Sequence, residues 1–378
     1  MRQYLRIILL VALFAALGSG SARAGEVALL LEQPYGRLGA MDPLGHAAIY
    51  LSDVCAETPV SLRRCDPGER GVVISRYHKV DGYDWVAMPL LPYLYGVRDP
   101  SDIPAEGSRS LAVEIRDQYR REYLREYVPD DPDRKIPKGD WTQLLGESYL
   151  RKIYGYSLVT TPEQDDALIA KLNTEKNRSS YNLAFRNCAN FAEDILNFYY
   201  PHSVHRNFIA DLGFMTPKQT AHALEKYAKR HPDLEFATFV IPQLPGKIHR
   251  SSSIHGILDS VLETKKYVLP LAILHPAVAG SLIAVYLGGG RFHPGSRVEA
   301  VFDPRLQLEP GVMDEASAPK RPPNTPGEMN TARSSAVAIT NAAFQPRAPG
   351  PSQEPGSNAL GFCPGNGHGS LHTQCVIH

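Results

Sequence analysis

Two residues have the types and the order needed for thiol chemistry: Cys188 and His46. Cys188 lies in Arg186-Asn187-Cys188-Ala189-Asn190-Phe191-Ala192-Glu193-Asp194-Ile195-Leu196, which reads as the start of an amphipathic helix. Asn187 is a good N-cap residue, so Cys188 falls in the first turn. There the helix dipole favours a thiolate, and the unpaired backbone N–H groups can line an oxyanion hole. His46 lies far upstream in Gly45-His46-Ala47-Ala48-Ile49-Tyr50-Leu51. A thiol at a helix start and an imidazole on a separate strand are the minimum kit for nucleophilic catalysis. His46 would take the thiol proton and return it to the leaving group.

Both residues need elements to hold them. From His46 to Leu51 the residues alternate, with His46, Ala48 and Tyr50 on one face of a strand. The turn Pro43-Leu44-Gly45 precedes that strand, and Val27 to Leu31 reads as a buried strand before the turn. Gly71–Tyr77, Trp85–Leu90 and Leu234–Ile241 read as further strands. A third group should orient the imidazole. If Gly71–Tyr77 pairs antiparallel with the His46 strand, Tyr77 and His78 are the candidates, with His78 preferred. Helices are expected over Tyr119–Tyr127, over Gln143–Tyr154, after the Thr161 cap, after Cys188 and after Thr216. A structural buried cysteine and an idle histidine are the bland alternatives for the pair.

The cysteine count singles out Cys188. Cys55 and Cys65 flank a short Pro-containing loop and should pair in an oxidising compartment. Cys363 and Cys375 lie in a tail rich in Pro, Gly, Ser and Asn. Cys188 is the fifth. His202 and His205 have a spacing that could supply two metal ligands, but no third ligand is evident, so neither a metal nor a cofactor is expected. The mixed charges from Lys218 to Lys229 read as a solvated helix face.

A strand-start histidine followed much later by an Asn-Cys helix start resembles the circularly permuted papain-like hydrolases and acyltransferases of the NlpC type. GHAAIYL is similar to their histidine strand. RNCANFAEDIL resembles the Asn-Cys-x-x-Phe motif of the lecithin:retinol acyltransferase branch, departing from it at Ala189-Asn190, where that branch has Glu-His. The stretch from Thr161 to Ile195 is also similar to exported domains related to bacterial lipoprotein transacylases. The resemblance covers roughly residues 26–240. It implies a papain-like α+β fold with an antiparallel sheet and packed helices, Cys188 as nucleophile, His46 as base and a polar third member near His78.

Composition sets the surroundings. The 378 residues carry 40 Lys+Arg and 40 Asp+Glu, so no basic excess recommends nucleic acid as a partner. Arg2 and Arg6, the apolar run Ile7–Leu17 and Ala22-Arg23-Ala24 read as a signal peptide over 1–24. A catalytic domain over 25–246 and a linker over 247–266 follow. Residues 267–287 contain no Asp, Glu, Lys or Arg and read as a transmembrane helix, and 288–378 as a disordered tail. The expectation is an exported thiol hydrolase or acyltransferase, periplasmic or on the cell surface and anchored by 267–287. It would act on amide or ester bonds of envelope peptides or lipids. Its rivals are a catalytically inactive papain-like binding or scaffolding domain, and a structural envelope protein with every cysteine in a disulfide. The sequence leaves the oligomeric state open.

Overall fold

The computed structural model describes residues 25–303, apart from 36–43, 138, 179–180, 208–210, 212, 257–264, 286–291 and 297. The expected signal peptide, the bulk of the tail, Cys363 and Cys375 lie outside the described residues. In chain order the strands are β1 (Gly25–Glu32), β2 (His46–Leu51), β3 (Val54–Thr58), β4 (Ser61–Arg64), β5 (Val72–Ser75), β6 (Val86–Pro89), β7 (Gly107–Ser108), β8 (Ile153–Thr160), β9 (Phe236–Ile241), β10 (Gly246–Lys247) and β11 (Ala300–Val301). The helices are α1 (Leu90–Tyr95), α2 (Arg109–Tyr123), α3 (Glu147–Leu150), α4 (Pro162–Thr174), α5 (Cys188–Tyr199), α6 (Pro217–Arg230), α7 (Lys265–Leu274) and α8 (Pro276–Val285).

The architecture is α+β. Seven strands form one sheet in the order β11-β9-β8-β1-β2-β5-β6. Every pairing in it is antiparallel except β11 with β9. The central strands are buried on both faces, which is why β1 reads as a continuous apolar run. Val27, Leu29, Leu31, Ala47, Ile49, Val72 and Ile74 point to the face covered by α5 and α6. Ala28, Leu30, Ala48, Tyr50 and Val73 point to the other, covered by α1, α3 and the chain around Trp141. Cys55 and Cys65 are joined in a disulfide at the β3–β4 hairpin, as their spacing led us to expect.

Several segments depart from expectation. Residues 143–154 were expected to be one helix. Instead a short 3-10 turn and α3 end at Leu150, and β8 begins at Ile153 beside β1. Gly155 sits in β8 directly opposite Phe239, whose ring occupies the space a Cβ would need, the nearest atom lying 2.1 Å from it. A side chain there would displace the ring. Where a linker was expected, β10 pairs with β7, Ser251 donates to Gln33 (2.6 Å) and Ile254 is buried in the core with Cys188. Beyond the expected span, Phe292 joins that core and β11 extends the sheet.

The single span expected over 267–287 is corrected. The chain there forms two ten-residue helices, α7 and α8, separated at His275 before Pro276. Proline breaks the helix by lacking an N–H and crowding the preceding turn. Each helix rises about 15 Å, half of a bilayer core. No helix among the described residues is long and apolar enough to cross a membrane.

Candidate active site

Cys188 is the first residue of α5, as the motif led us to expect. Asn187 and Asn190 form a reciprocal capping box: Asn190 N–H donates to Asn187 Oδ1 (3.0 Å), and Asn187 N–H donates to Asn190 Oδ1 (3.3 Å). Asn187 does more than cap. Its Nδ2 donates to the carbonyls of Leu183 (2.8 Å) and Met215 (3.1 Å), tying the chain on both sides to the helix start. Arg76, just after β5, donates to the Asn187 carbonyl (3.3 Å) and lies over the Phe191 ring. Asp84 holds Arg76 with two bonds (2.8 and 2.9 Å) and accepts a third from Arg186 (2.8 Å). These charge-assisted contacts fix the backbone at the start of α5. Cys188 is 7% exposed and carries no disulfide.

His46 opens β2, also as expected. Gly45 makes that entry possible. Its φ is +81°, and a Cβ would stand 2.3 Å from the Glu32 carbonyl oxygen. Ser75 then donates to the Ala47 carbonyl (2.7 Å), closing the β2–β5 end beside the imidazole. His46 is 4% exposed. Burial, aided by the positive charge of Arg151, holds its pKa well below the ordinary histidine value. The imidazole is therefore neutral near pH 7, the form that accepts a proton.

The ring against His46 is that of Tyr77, stacked at 5.1 Å between centroids and 24° between planes. His78, the preferred third member, turns elsewhere. Its ring faces Tyr181 at 5.4 Å, and its backbone N–H donates to Asp140 Oδ2 (3.2 Å). His46 Nε2 is buried and has no hydrogen-bond partner among the described residues. Tyr77, and not the preferred His78, is the residue against the imidazole; register alone cannot separate adjacent residues at a strand end.

Behind Tyr77 lies an ionic cluster that the sequence did not reveal. Tyr77 is hydrogen-bonded to Tyr93, and Tyr93 donates to Glu32, which stands directly opposite His46 on β1. Glu32 pairs with Arg151 (3.2 Å), Arg151 with Glu147 (2.6 Å), and Glu147 with Arg116 (3.2 Å). All four charged residues are buried, and their charges cancel. Burial first, then the nearby carboxylates, raise both tyrosines well above the ordinary phenol value, so both stay protonated. A single glutamate at the end of an apolar strand offered little hint of this. Its partners come from segments about 100 residues away.

The two candidate catalytic residues reach the same end of the sheet from opposite faces. His46 shares its face with Glu32 and Tyr77, whereas Cys188 belongs to the core beneath α5. Arg76 and Tyr77 are consecutive: one holds the cap of Cys188, and the other stacks on His46. The Cys188 thiol also contributes to the electrostatic surroundings of Tyr77. Tyr77 is thus a shared neighbour at the junction. His202 and His205 are exposed at a turn. The group of Cys55, Cys65 and Glu69 has the spacing of a metal site, but its two sulfurs are spent in the disulfide.

No family model matches the chain, and no curated protein matches it. Among solved structures it is similar to the type VI secretion system effector TseH, at 15% identity and a TM-score of 0.27, over 57% of this chain and 99% of that one. A likeness so distant carries no argument about fold or function, and the reading of the site rests on its own residues.

Proposed function

We propose that this chain is a thiol hydrolase or acyltransferase with Cys188 as nucleophile and His46 as base. One observation supports it above the others: a doubly anchored helix start presents Cys188 at the sheet end where a neutral, buried imidazole is held. In the proposed reaction the sulfur of Cys188 attacks an ester or amide carbonyl as His46 takes the thiol proton. Collapse of the adduct expels the alcohol or amine, which receives that proton, and leaves an acyl-thioenzyme. Water or a second acceptor then attacks the acyl group as His46 takes its proton, and the departing sulfur of Cys188 regains that proton from His46. N–H groups of the first turn of α5 would bear the oxyanion. Because His46 is neutral at rest, the base acts during attack and does not form a standing ion pair.

The proposed setting is the cell envelope, with envelope peptides or lipids as substrates. Membrane attachment is proposed through the apolar side chains that α7 and α8 leave exposed, namely Leu269, Ile273, Leu274, Val278 and Ile283. The second reading is a binding or scaffolding domain that has lost catalysis. Its support is specific: His46 is clamped on the sheet face away from the Cys188 core, and its Nε2 has no hydrogen-bond partner among the described residues.

The deciding experiment uses p-nitrophenyl acetate and iodoacetamide on the full chain. The enzyme reading expects nitrophenol release that disappears in Cys188→Ala, and alkylation at Cys188, mapped by mass spectrometry, that slows at least tenfold in His46→Ala. Release unaffected by Cys188→Ala, with equal alkylation in both proteins, overturns it in favour of the inactive domain.

A further inference from the structure

The loop that delivers Cys188 carries an unusual tip. Asn182 and Arg186 close it with a two-way backbone bridge (3.0 and 2.9 Å). Asn182 Oδ1 accepts from the N–H groups of Ala184 (2.9 Å) and Phe185 (3.2 Å), making the turn rigid. The tip it holds out is Leu183-Ala184-Phe185, with no polar side chain among the three. Leu183 is 75% exposed and Phe185 61%. Holding two large apolar side chains in water on a rigid turn gains nothing for folding. Phe214 faces Phe185 at 5.6 Å between ring centroids, and the Arg206 guanidinium lies 5.9 Å from the same ring.

The tip is coupled to the thiol. The Leu183 carbonyl and the Met215 carbonyl, next to Phe214, both accept from Asn187 Nδ2, and Asn187 caps the helix that Cys188 begins. One side chain therefore sets the Leu183–Phe185 turn, the Phe214 strand of chain and the Cys188 backbone in fixed relation. We infer that Leu183, Phe185 and Phe214 form an apolar collar at the mouth of the Cys188 site, a subsite for an alkyl chain attached to the reacting carbonyl. The position argues for a substrate chain over a general surface contact. The exposed apolar residues lie within five positions of the nucleophile and share its anchoring side chain.

The inference rests on Cys188 being the reacting thiol, but its test needs no turnover. The full chain is alkylated with iodoacetamide and with N-octyl iodoacetamide below its micellar range, with glutathione in the same tube as reference thiol. Burying one methylene favours binding by about fourfold, so two or more held by the collar should give at least about tenfold. We expect the octyl-to-parent rate ratio at Cys188 to exceed that of glutathione by this factor. It should fall to the glutathione ratio in the double variant Leu183→Ser, Phe185→Ser. Val113→Ser, which removes an exposed apolar side chain on α2, should keep the preference. A Cys188 ratio equal to that of glutathione, or one unchanged in the double variant, overturns the collar, as does a Cys188 that neither reagent reaches. An octyl preference that persists while His46→Ala alters no rate would keep the collar and sink the catalytic pair.

Discussion

Replacing Asn187 tests how the site is held. Its side chain makes three contacts: the cap to Asn190 N–H, and two Nδ2 donations to the Leu183 and Met215 carbonyls. Asn187→Ala loses all three. A lost cap costs about 1 kcal/mol, and each lost internal hydrogen bond about 1 kcal/mol more, so the sum is about 3 kcal/mol. Asn187→Ser keeps an oxygen that can accept from the N–H of Asn190 but cannot reach both carbonyls, so it should lose about 2 kcal/mol. Urea unfolding of the full chain measures both, with unchanged m-values as the sign that the unfolded reference is the same. In a domain of this size 3 kcal/mol corresponds to a melting temperature lower by about 6–12 °C. An alanine variant within about 1 kcal/mol of wild type, or a serine variant no better than alanine, would refute the account of Asn187 as the joint of the site.

Other outcomes follow from the buried charges and the cross-link. His46 has a folded-state pKa below its unfolded value, so below about pH 6.5 the unfolded chain binds the extra proton more readily. Stability should therefore fall as pH drops through and below 6.5, and His46→Gln should flatten that part of the urea profile; an identical slope would exclude His46 as its source. Arg151→Met leaves Glu32 and Glu147 facing each other without their shared cation, so a loss of about 3–5 kcal/mol is expected in the same unfolding assay. Replacing Arg151 and Glu32 together by apolar residues, which leaves the Glu147–Arg116 pair in place, should cost much less, and a double variant as unstable as the single one would contradict this. Reducing the Cys55–Cys65 bond opens a short loop and should cost about 2–3 kcal/mol, read as a lower urea midpoint with dithiothreitol. Tyr77→Leu removes the ring on His46 and should raise the histidine pKa toward its ordinary value, followed by NMR of the imidazole. His78→Leu should leave it in place.

Local signals were legible wherever they were strong. The Thr161 and Thr216 caps, the apolar run of β1 and the alternation after His46 all mark elements that the structure contains. β8 was missed because Ile153–Thr160 follows a helix-like stretch and owes its strand state to β1 and β9 on either side. The apolar run at 267–287 shows the opposite failure. Its composition matches a bilayer core, but Pro276 divides it into two short helices. The packing of 246–256 against the domain depends on Ser251, Ser252 and Ile254 meeting surfaces assembled from distant segments, and no local pattern encodes that.

The sequence by itself determined that Cys188 begins a helix, that His46 begins a strand and that Cys55 can reach Cys65. These follow from capping chemistry, side-chain alternation and short loop closure, all local. Only the tertiary structure decided what surrounds them. It set Tyr77 on His46 and not His78, and it joined Glu32, Arg151, Glu147 and Arg116 behind that ring. It also placed the two candidate catalytic residues on opposite faces of one sheet end. Strand pairing and burial produce those neighbours, and both depend on residues far apart in the chain.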